Sequence, residues 1–192
     1  MVEARYDRSA MDRSRAVRIS KRMSLALRHR PEALGITLDP NGWTTIEALV
    51  RGLEAHGERV TADDIDEIVE TSDKQRFALS EDGTRIRANQ GHSVSVDLGL
   101  PARVPPHLLF HGTVDRSLAP IRAQGLVRGS RTHVHLSADV ATARIVAARR
   151  AGERVLLRVR AAAMHEAGFT FYLSDNGVWL TENVPPAFIE VP

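Results

Sequence analysis

The residues best suited to chemistry in this chain are arginines and histidines set among glycines and hydroxyls. Arg28 and His29 lie in LRHRP, where two guanidiniums flank an imidazole ahead of a proline. Arg76 stands in DKQRF, and ANQGHS follows with Asn89, Gln90, Gly91, His92 and Ser93. LFHGT ends in His111, Gly112 and Thr113, and RTHVHLS carries Arg131, His133 and His135. Guanidinium groups stay charged in proteins and make planar, two-pronged contacts to phosphate. Imidazole titrates near neutrality and can bind or protonate. Together these types suit the gripping and moving of a phosphate.

Each segment taken singly also admits a plainer account. On a strand, His133 and His135 face the same side. They could form a two-histidine metal site, a hydrogen-bonded structural pair, or one side of a polar ligand pocket; the metal reading lacks a nearby third ligand. FHGT reads either as a capping turn or as a place where Gly112 lets a ligand approach the backbone, with Thr113 offering its amide or hydroxyl. The stem of Arg76 could simply cover apolar surface.

The chain of 192 residues allows one large domain or two small ones. It has no cysteine, which excludes disulfides and thiolate zinc sites. G-x-G-x-x-G, P-loop, H-E-x-x-H and nucleophile-elbow motifs are also missing. No apolar run is long enough to cross a bilayer, and the polar N-terminus lacks a signal peptide. These features predict a soluble, cytoplasmic protein that needs neither membrane nor metal, and a monomer. Net charge is +2, yet residues 1–30 hold nine arginines and lysines against three acids. That imbalance suits either a phosphate-bearing partner or a solvated helix face. The only lysines are Lys21 and Lys74.

An α+β fold in two lobes must position these groups. Ile19, Met23, Ala26 and Leu27 form one helical stripe that Pro31 limits. A turn at DPNG precedes a second helix, which Thr44 and Glu47 open as a capping box. Thr61 and Asp64 open a third helix, and RFALS and TRIRA make a hairpin. Three helices and a hairpin outline a winged-helix-like lobe over 1–98. Trp43 reads as core packing. SVSVDL (93–98) reads as a strand, and GLPARVPP is the natural boundary. The lobe at 99–192 is β-rich, with strands at FHGT, HVHLS and RVLLRVRA and a hairpin around Asp175-Asn176-Gly177.

SKRMSLALRHRP, LDPNGWTTIEAL, DKQRFAL, IRANQGHS, LFHGT, RTHVHLS and FYLSDNGVWLT occur in that order. The chain thereby closely resembles the NAD-dependent RNA 2′-phosphotransferase family from about Ser20 to Phe188. The resemblance implies that the first lobe meets RNA and that the second is an ADP-ribosyltransferase-like, NAD-binding lobe. In the implied reaction an internal RNA 2′-phosphate attacks NAD and expels nicotinamide, giving RNA-2′-phospho-ADP-ribose. The ADP-ribose 2″-hydroxyl then attacks phosphorus, yielding 2′-hydroxyl RNA and ADP-ribose 1″,2″-cyclic phosphate. The eukaryotic members act in tRNA splicing.

The family's essential Arg-His-Arg-Arg set falls on Arg28, His29, Arg76 and Arg131. The resemblance makes Arg28, His29 and Arg76 RNA-phosphate contacts, with Lys21 a further one. Arg131 would touch both the phosphate and NAD. His29 would bind the phosphate or protonate the departing RNA oxygen. One preorganised contact of this kind is worth on the order of 3 kcal/mol of transition-state stabilisation. His111, Gly112, Thr113 and His135 fall on the NAD side. Val178 stands where many protein-modifying relatives have a glutamate, which argues against protein ADP-ribosylation. Asn89, Gln90, Gly91 and His92 match without separable roles. The alternatives are transfer of ADP-ribose to a nucleic-acid terminal phosphate or another acceptor, and a DNA-binding regulator. The acidic third helix, TADDIDEIVET, disfavours the last.

Overall fold

A computed structural model of the chain describes residues 11–191. Arg5 and Arg8, part of the N-terminal basic excess, lie outside the described residues. Helix α1 (Arg13–Arg28) starts at Asp12, whose carboxylate accepts the Arg15 amide, and it buries Ile19, Met23, Ala26 and Leu27. Fully burying side chains of the Ile19, Met23 and Leu27 kind contributes about 1.5–3 kcal/mol each. Pro31 then opens a 3-10 turn over Pro31–Leu34. Strand β1 (Thr44–Thr45) leads into α2 (Ile46–Ala55), which packs with α3 (Ala62–Glu70). Strands β2 (Phe77–Leu79) and β3 (Arg85–Ala88) form the expected hairpin, and β1 adds to β3 as a third strand. A first core gathers residues from Ile19 to Ala88.

A second core gathers residues from Leu109 to Val184. It holds β4 (Leu109–Val114), α4 (Leu118–Gln124), β5 (Leu126–Val127), β6 (Val134–Leu136), α5 (Val140–Ala147) and β7 (Arg154–Val159). Helix α6 (Ala161–Glu166) and strands β8 (Tyr172–Leu173), β9 (Trp179–Thr181), β10 (Asn183–Val184) and β11 (Ile189–Glu190) complete it. The sheets are antiparallel: β11-β7-β4, β6-β9-β8 and β10-β5. A bridge between Phe110 and Ser137 ties β4 to the end of β6. The mixture of helices and small antiparallel sheets is α+β. Among the described residues no helix is long and apolar enough to cross a membrane.

Three local expectations are corrected. Residues 93–98 form no strand despite their alternating pattern, because their amides bond elsewhere. Ser93 and Val94 donate to the Arg28 carbonyl, and Asp97 donates to that of Pro40. Helix α2 is capped one residue later than expected, by Thr45, whose hydroxyl accepts the Ala48 amide at 3.1 Å. Thr44 is instead a strand residue paired with Ile86. Trp43 is half-buried and outside the core, with the Arg87 and Arg85 guanidiniums 4.6 and 5.5 Å from its ring centre. Cations over the face of a half-exposed indole are attracted to it.

Candidate active site

Much of the positive charge on α1 is spent within the fold. Arg18 grips the buried Glu58 carboxylate with two bonds of 3.0 Å, and Arg22 lies 3.3 Å from it. Arg15 faces Asp64 at 3.6 Å. Arg28, the last residue of α1, has no such partner among the described residues. Its Nη2 donates to the Arg76 carbonyl at 3.3 Å, while its Nε is buried without a bond. Burial, then the charges of Arg76 and Arg131, hold the Arg28 pKa down to about 10. At that value it remains a cation at neutral pH. Arg28 thus lies against the backbone of Arg76 and feels the charges of Arg76 and Arg131, which come from segments distant in sequence. Like charges so placed repel, and an anion between them relieves the repulsion.

The loop carrying Arg76 is held under tension. Gln75 adopts φ +39°, which non-glycine residues rarely do. Buried Asn89 fixes it: its side-chain amide donates to the Gln75 carbonyl at 2.7 Å, and its backbone N–H donates to that of Arg76 at 2.9 Å. Gly91 at φ +90° turns the chain beside the Arg28 guanidinium, a conformation a glycine takes freely. His92 follows, fully buried, with neither ring nitrogen bonded. Burial and then Arg28, His29 and Arg87 push its pKa down to about 4. Its carbonyl accepts the Thr132 amide at 3.0 Å, joining this loop to the segment that carries Arg131. Asn89 is thus a clamp, Gly91 a turn and His92 a joint, a division that the sequence left open.

His29 is exposed, its Nδ1 lying 2.8 Å from the Ser93 hydroxyl. Burial, then the Arg28 and Arg131 charges, lower its pKa. Arg131 Nη1 lies 3.2 Å from His135 Nδ1. A guanidinium only donates, so His135 Nδ1 accepts and its Nε2 carries the proton. That Nε2 is buried without a partner. Burial, and then Arg131, push His135 down to about 3, so it is neutral. His111 Nδ1 donates to the His135 carbonyl at 3.0 Å, and burial chiefly lowers its pKa. Thr113 is buried on the same face of β4, with its hydroxyl unbonded. His133 is turned aside: its Nδ1 lies 3.1 Å from the Thr132 hydroxyl, and its ring meets Tyr172 edge-on.

The side chain that Gly112 lacks would run into α5. A Cβ there would lie 1.9 Å from the Ala143 carbonyl oxygen of α5, so the space belongs to that helix. Val178 is half-buried beside β9, on the face that holds Leu180, the partner of His135. Lys21 is exposed on α1, seven residues and so about 10 Å of helix from Arg28. It is not among the charges felt by Arg28, His29 or Arg131. Gln90 is half-buried and makes no side-chain bond that defines a role. Lys74, Arg149 and Arg150, by contrast, escaped notice in the sequence and stand at the cluster. Arg150 and Arg149 bear on Arg131, while Arg149 and Arg76 bear on Lys74.

The α+β chain thus carries guanidiniums at Arg28, Arg76 and Arg131 without carboxylate partners among the described residues, a neutral His135, and a buried, unbonded Thr113 hydroxyl. The family model described as "RNA 2'-phosphotransferase, Tpt1 / KptA family" matches residues 14–183. Similar curated proteins, each named "Probable RNA 2'-phosphotransferase", come from several bacteria. That of Nostoc punctiforme is 49% identical, covering 94% of this chain and 99% of its own. That of Streptomyces coelicolor is 51% identical, covering 95% and 98%. That of Rhodopirellula baltica is 52% identical, covering 92% and 96%. The chain belongs to the RNA 2′-phosphotransferase family.

Proposed function

We propose that the protein moves an internal RNA 2′-phosphate onto the nicotinamide riboside of NAD and then releases it as ADP-ribose 1″,2″-cyclic phosphate. Family membership supports the phosphate transfer. The observation that supports the mechanism is that Arg28 donates to the Arg76 carbonyl and feels the Arg76 and Arg131 charges, with no carboxylate within ion-pair distance of the three among the described residues. A phosphate must be gripped as a nucleophile in one step and stabilised as a crowded centre in the next, and fixed cations serve both.

In this reading the first 98 residues act as a winged-helix-like, RNA-facing lobe, and the rest as an ADP-ribosyltransferase-like lobe. His135 Nε2 and the Thr113 hydroxyl, both buried without partners, fit a nucleotide rich in hydroxyls. His111 holds the His135 carbonyl and so aligns them. Arg28 and Arg76 hold the 2′-phosphate while one of its oxygens bonds to C1″ and nicotinamide leaves with the C–N electron pair. Arg131 then steadies the phosphorus as the ribose 2″-hydroxyl adds, loses its proton, and the RNA 2′-oxygen departs.

His29 gives that departing oxygen its proton. In the free protein burial and then two guanidiniums disfavour the imidazolium. A bound phosphate dianion reverses the local field and favours it. His29 therefore takes up a proton when the substrate arrives. Val178 offers no carboxylate to activate an acceptor, and a phosphate dianion needs none.

The test is incubation with NAD and an oligonucleotide bearing an internal 2′-phosphate. Nicotinamide, 2′-hydroxyl RNA and the cyclic phosphate should appear in equal amounts. A nucleic acid that ends the reaction ADP-ribosylated on a terminal phosphate, without cyclic product, would favour one-step ADP-ribosyl transfer instead.

A further inference from the structure

We propose that Ser93 is a positioning residue for the second step: its hydroxyl holds Nδ1 of His29, so that Nε2 delivers the proton to the departing RNA 2′-oxygen. The inference rests on the reaction proposed above and deepens it. The Ser93 hydroxyl lies 2.8 Å from His29 Nδ1. His29 Nε2 makes no hydrogen bond among the described residues. The two residues stand 64 positions apart in the chain, so the fold alone brings them together.

The backbone fixes Ser93 before its hydroxyl acts. Helix α1 ends at Arg28, and the carbonyls of a last turn find no partner within the helix. The Arg28 carbonyl accepts the Ser93 amide at 2.8 Å and the Val94 amide at 3.3 Å. Just before them, Gly91 turns the chain beside the Arg28 guanidinium, and the His92 carbonyl holds Thr132. On the other side, the His29 amide donates to the Leu25 carbonyl at 2.9 Å, which seats the imidazole at the end of α1. One short segment therefore binds the main chain of a phosphate ligand, Arg28, and the ring of the proton donor next to it.

A hydrogen bond to one imidazole nitrogen decides what the other can do. In the imidazolium both nitrogens carry hydrogen. Nδ1–H donates to Ser93 Oγ, which leaves Nε2–H free to be given away. As the bond from phosphorus to the RNA 2′-oxygen breaks, its electron pair stays on the oxygen, and that oxygen takes the Nε2 proton. The neutral ring keeps its Nδ1 proton on Ser93, and solvent restores the other. A carboxylate in place of Ser93 would favour the imidazolium even without substrate. A hydroxyl is neutral and both accepts and donates, so it leaves the charging of His29 to the arriving phosphate. The charged groups around the ring are Arg28 and Arg131, with buried His92 beside them. No carboxylate lies within 4 Å of the ring nitrogens among the described residues.

Single-turnover kinetics across a range of pH test this, with NAD and an oligonucleotide bearing an internal 2′-phosphate. Ser93→Ala keeps the backbone contacts. It should release nicotinamide at the parent's rate yet form the cyclic phosphate roughly tenfold more slowly, a part of what a general acid contributes. RNA-2′-phospho-ADP-ribose should therefore accumulate. The second step needs the imidazolium, so its rate falls as pH rises through the His29 pKa. That fall should move to lower pH in Ser93→Ala and to higher pH, by about one unit, in Ser93→Asp. Ser93→Thr should restore the parent's rate. Nitrogen-15 NMR of the free protein gives a reading independent of the reaction: the His29 pKa should drop in Ser93→Ala and rise in Ser93→Asp. A Ser93→Ala enzyme whose second step and pH profile match the parent's overturns the proposal, as does one slowed equally in both steps. If instead His29→Ala forms the cyclic phosphate as fast as the parent, the acid reading of His29 fails, and that outcome is separate from indifference to Ser93 alone.

Discussion

Arg76 is aimed by its neighbours. Asn89 supplies two bonds to the loop that carries it, and Gln75 bears an unfavourable φ to complete the turn. Asn89→Ala should cost about 0.5–1.5 kcal/mol of stability, the net worth of its side-chain bond to the Gln75 carbonyl. It should also cut turnover by more than the folded fraction explains. Gln75→Gly should gain up to about 1 kcal/mol by relieving the left-handed strain, yet lower kcat by loosening Arg76. Urea unfolding beside steady-state kinetics checks both; a Gln75→Gly enzyme as fast as the parent would deny that the turn aims Arg76. His92 and His135 give a pH prediction. Their folded pKa values, about 4 and about 3, lie below the unfolded value near 6.5. Between pH 6.5 and 4 the unfolded chain takes up protons that the folded protein refuses. Stability is therefore full above pH 6.5 and falls on acidification, by up to about 1.4 kcal/mol per pH unit for each histidine. His135→Asn should flatten that slope, and equal urea midpoints at pH 7 and pH 5 in the parent would contradict the buried neutral histidines. The sequence brought Arg28, His29, Arg76 and Arg131 forward through their motifs. It could not show that Arg18 and Arg22 are occupied by Glu58, because neutralisation by a residue so far along the chain leaves no local mark.

At the level of elements, legibility followed the strength of local rules. The helices α1, α2 and α3 announce themselves by apolar spacing and capping residues, and the Thr61–Asp64 box is formed as read. Alternation misled at 93–98, where backbone bonding to Arg28 and Pro40 replaces sheet pairing and binds the segment to α1. A two-residue strand such as β1 is too short to leave a pattern. Gly112 marks the limit of local reading, because a glycine before a threonine looks alike whether a ligand or a helix adjoins it. Gly112→Ala would force Cβ into the Ala143 carbonyl, lifting α5 from β4. We expect a loss of more than about 3 kcal/mol, within the range of severe overpacking. A variant that stays folded by circular dichroism, but binds NAD poorly, would show that Gly112 serves the ligand directly.

Across the whole molecule, two cores with separate residues meet at a few polar bonds: Thr132 to His92, Asn176 to Lys74, and Arg87 to Asp175 at 3.8 Å. The arginine cluster sits at that meeting, so neither part holds it alone. The charged composition hinted at a phosphate partner near the N-terminus. The central claim is that Arg28, Arg76 and Arg131 share one phosphate. Its most direct test is the affinity ratio of a 2′-phosphorylated oligonucleotide to its 2′-hydroxyl counterpart, measured for the parent and for each arginine-to-alanine variant. Each single variant should lose most of the preference, and pairs should lose little more, as expected for residues acting on one ligand atom group. A variant of any of the three that keeps the full preference would show that its guanidinium serves another purpose and that the shared phosphate site does not exist.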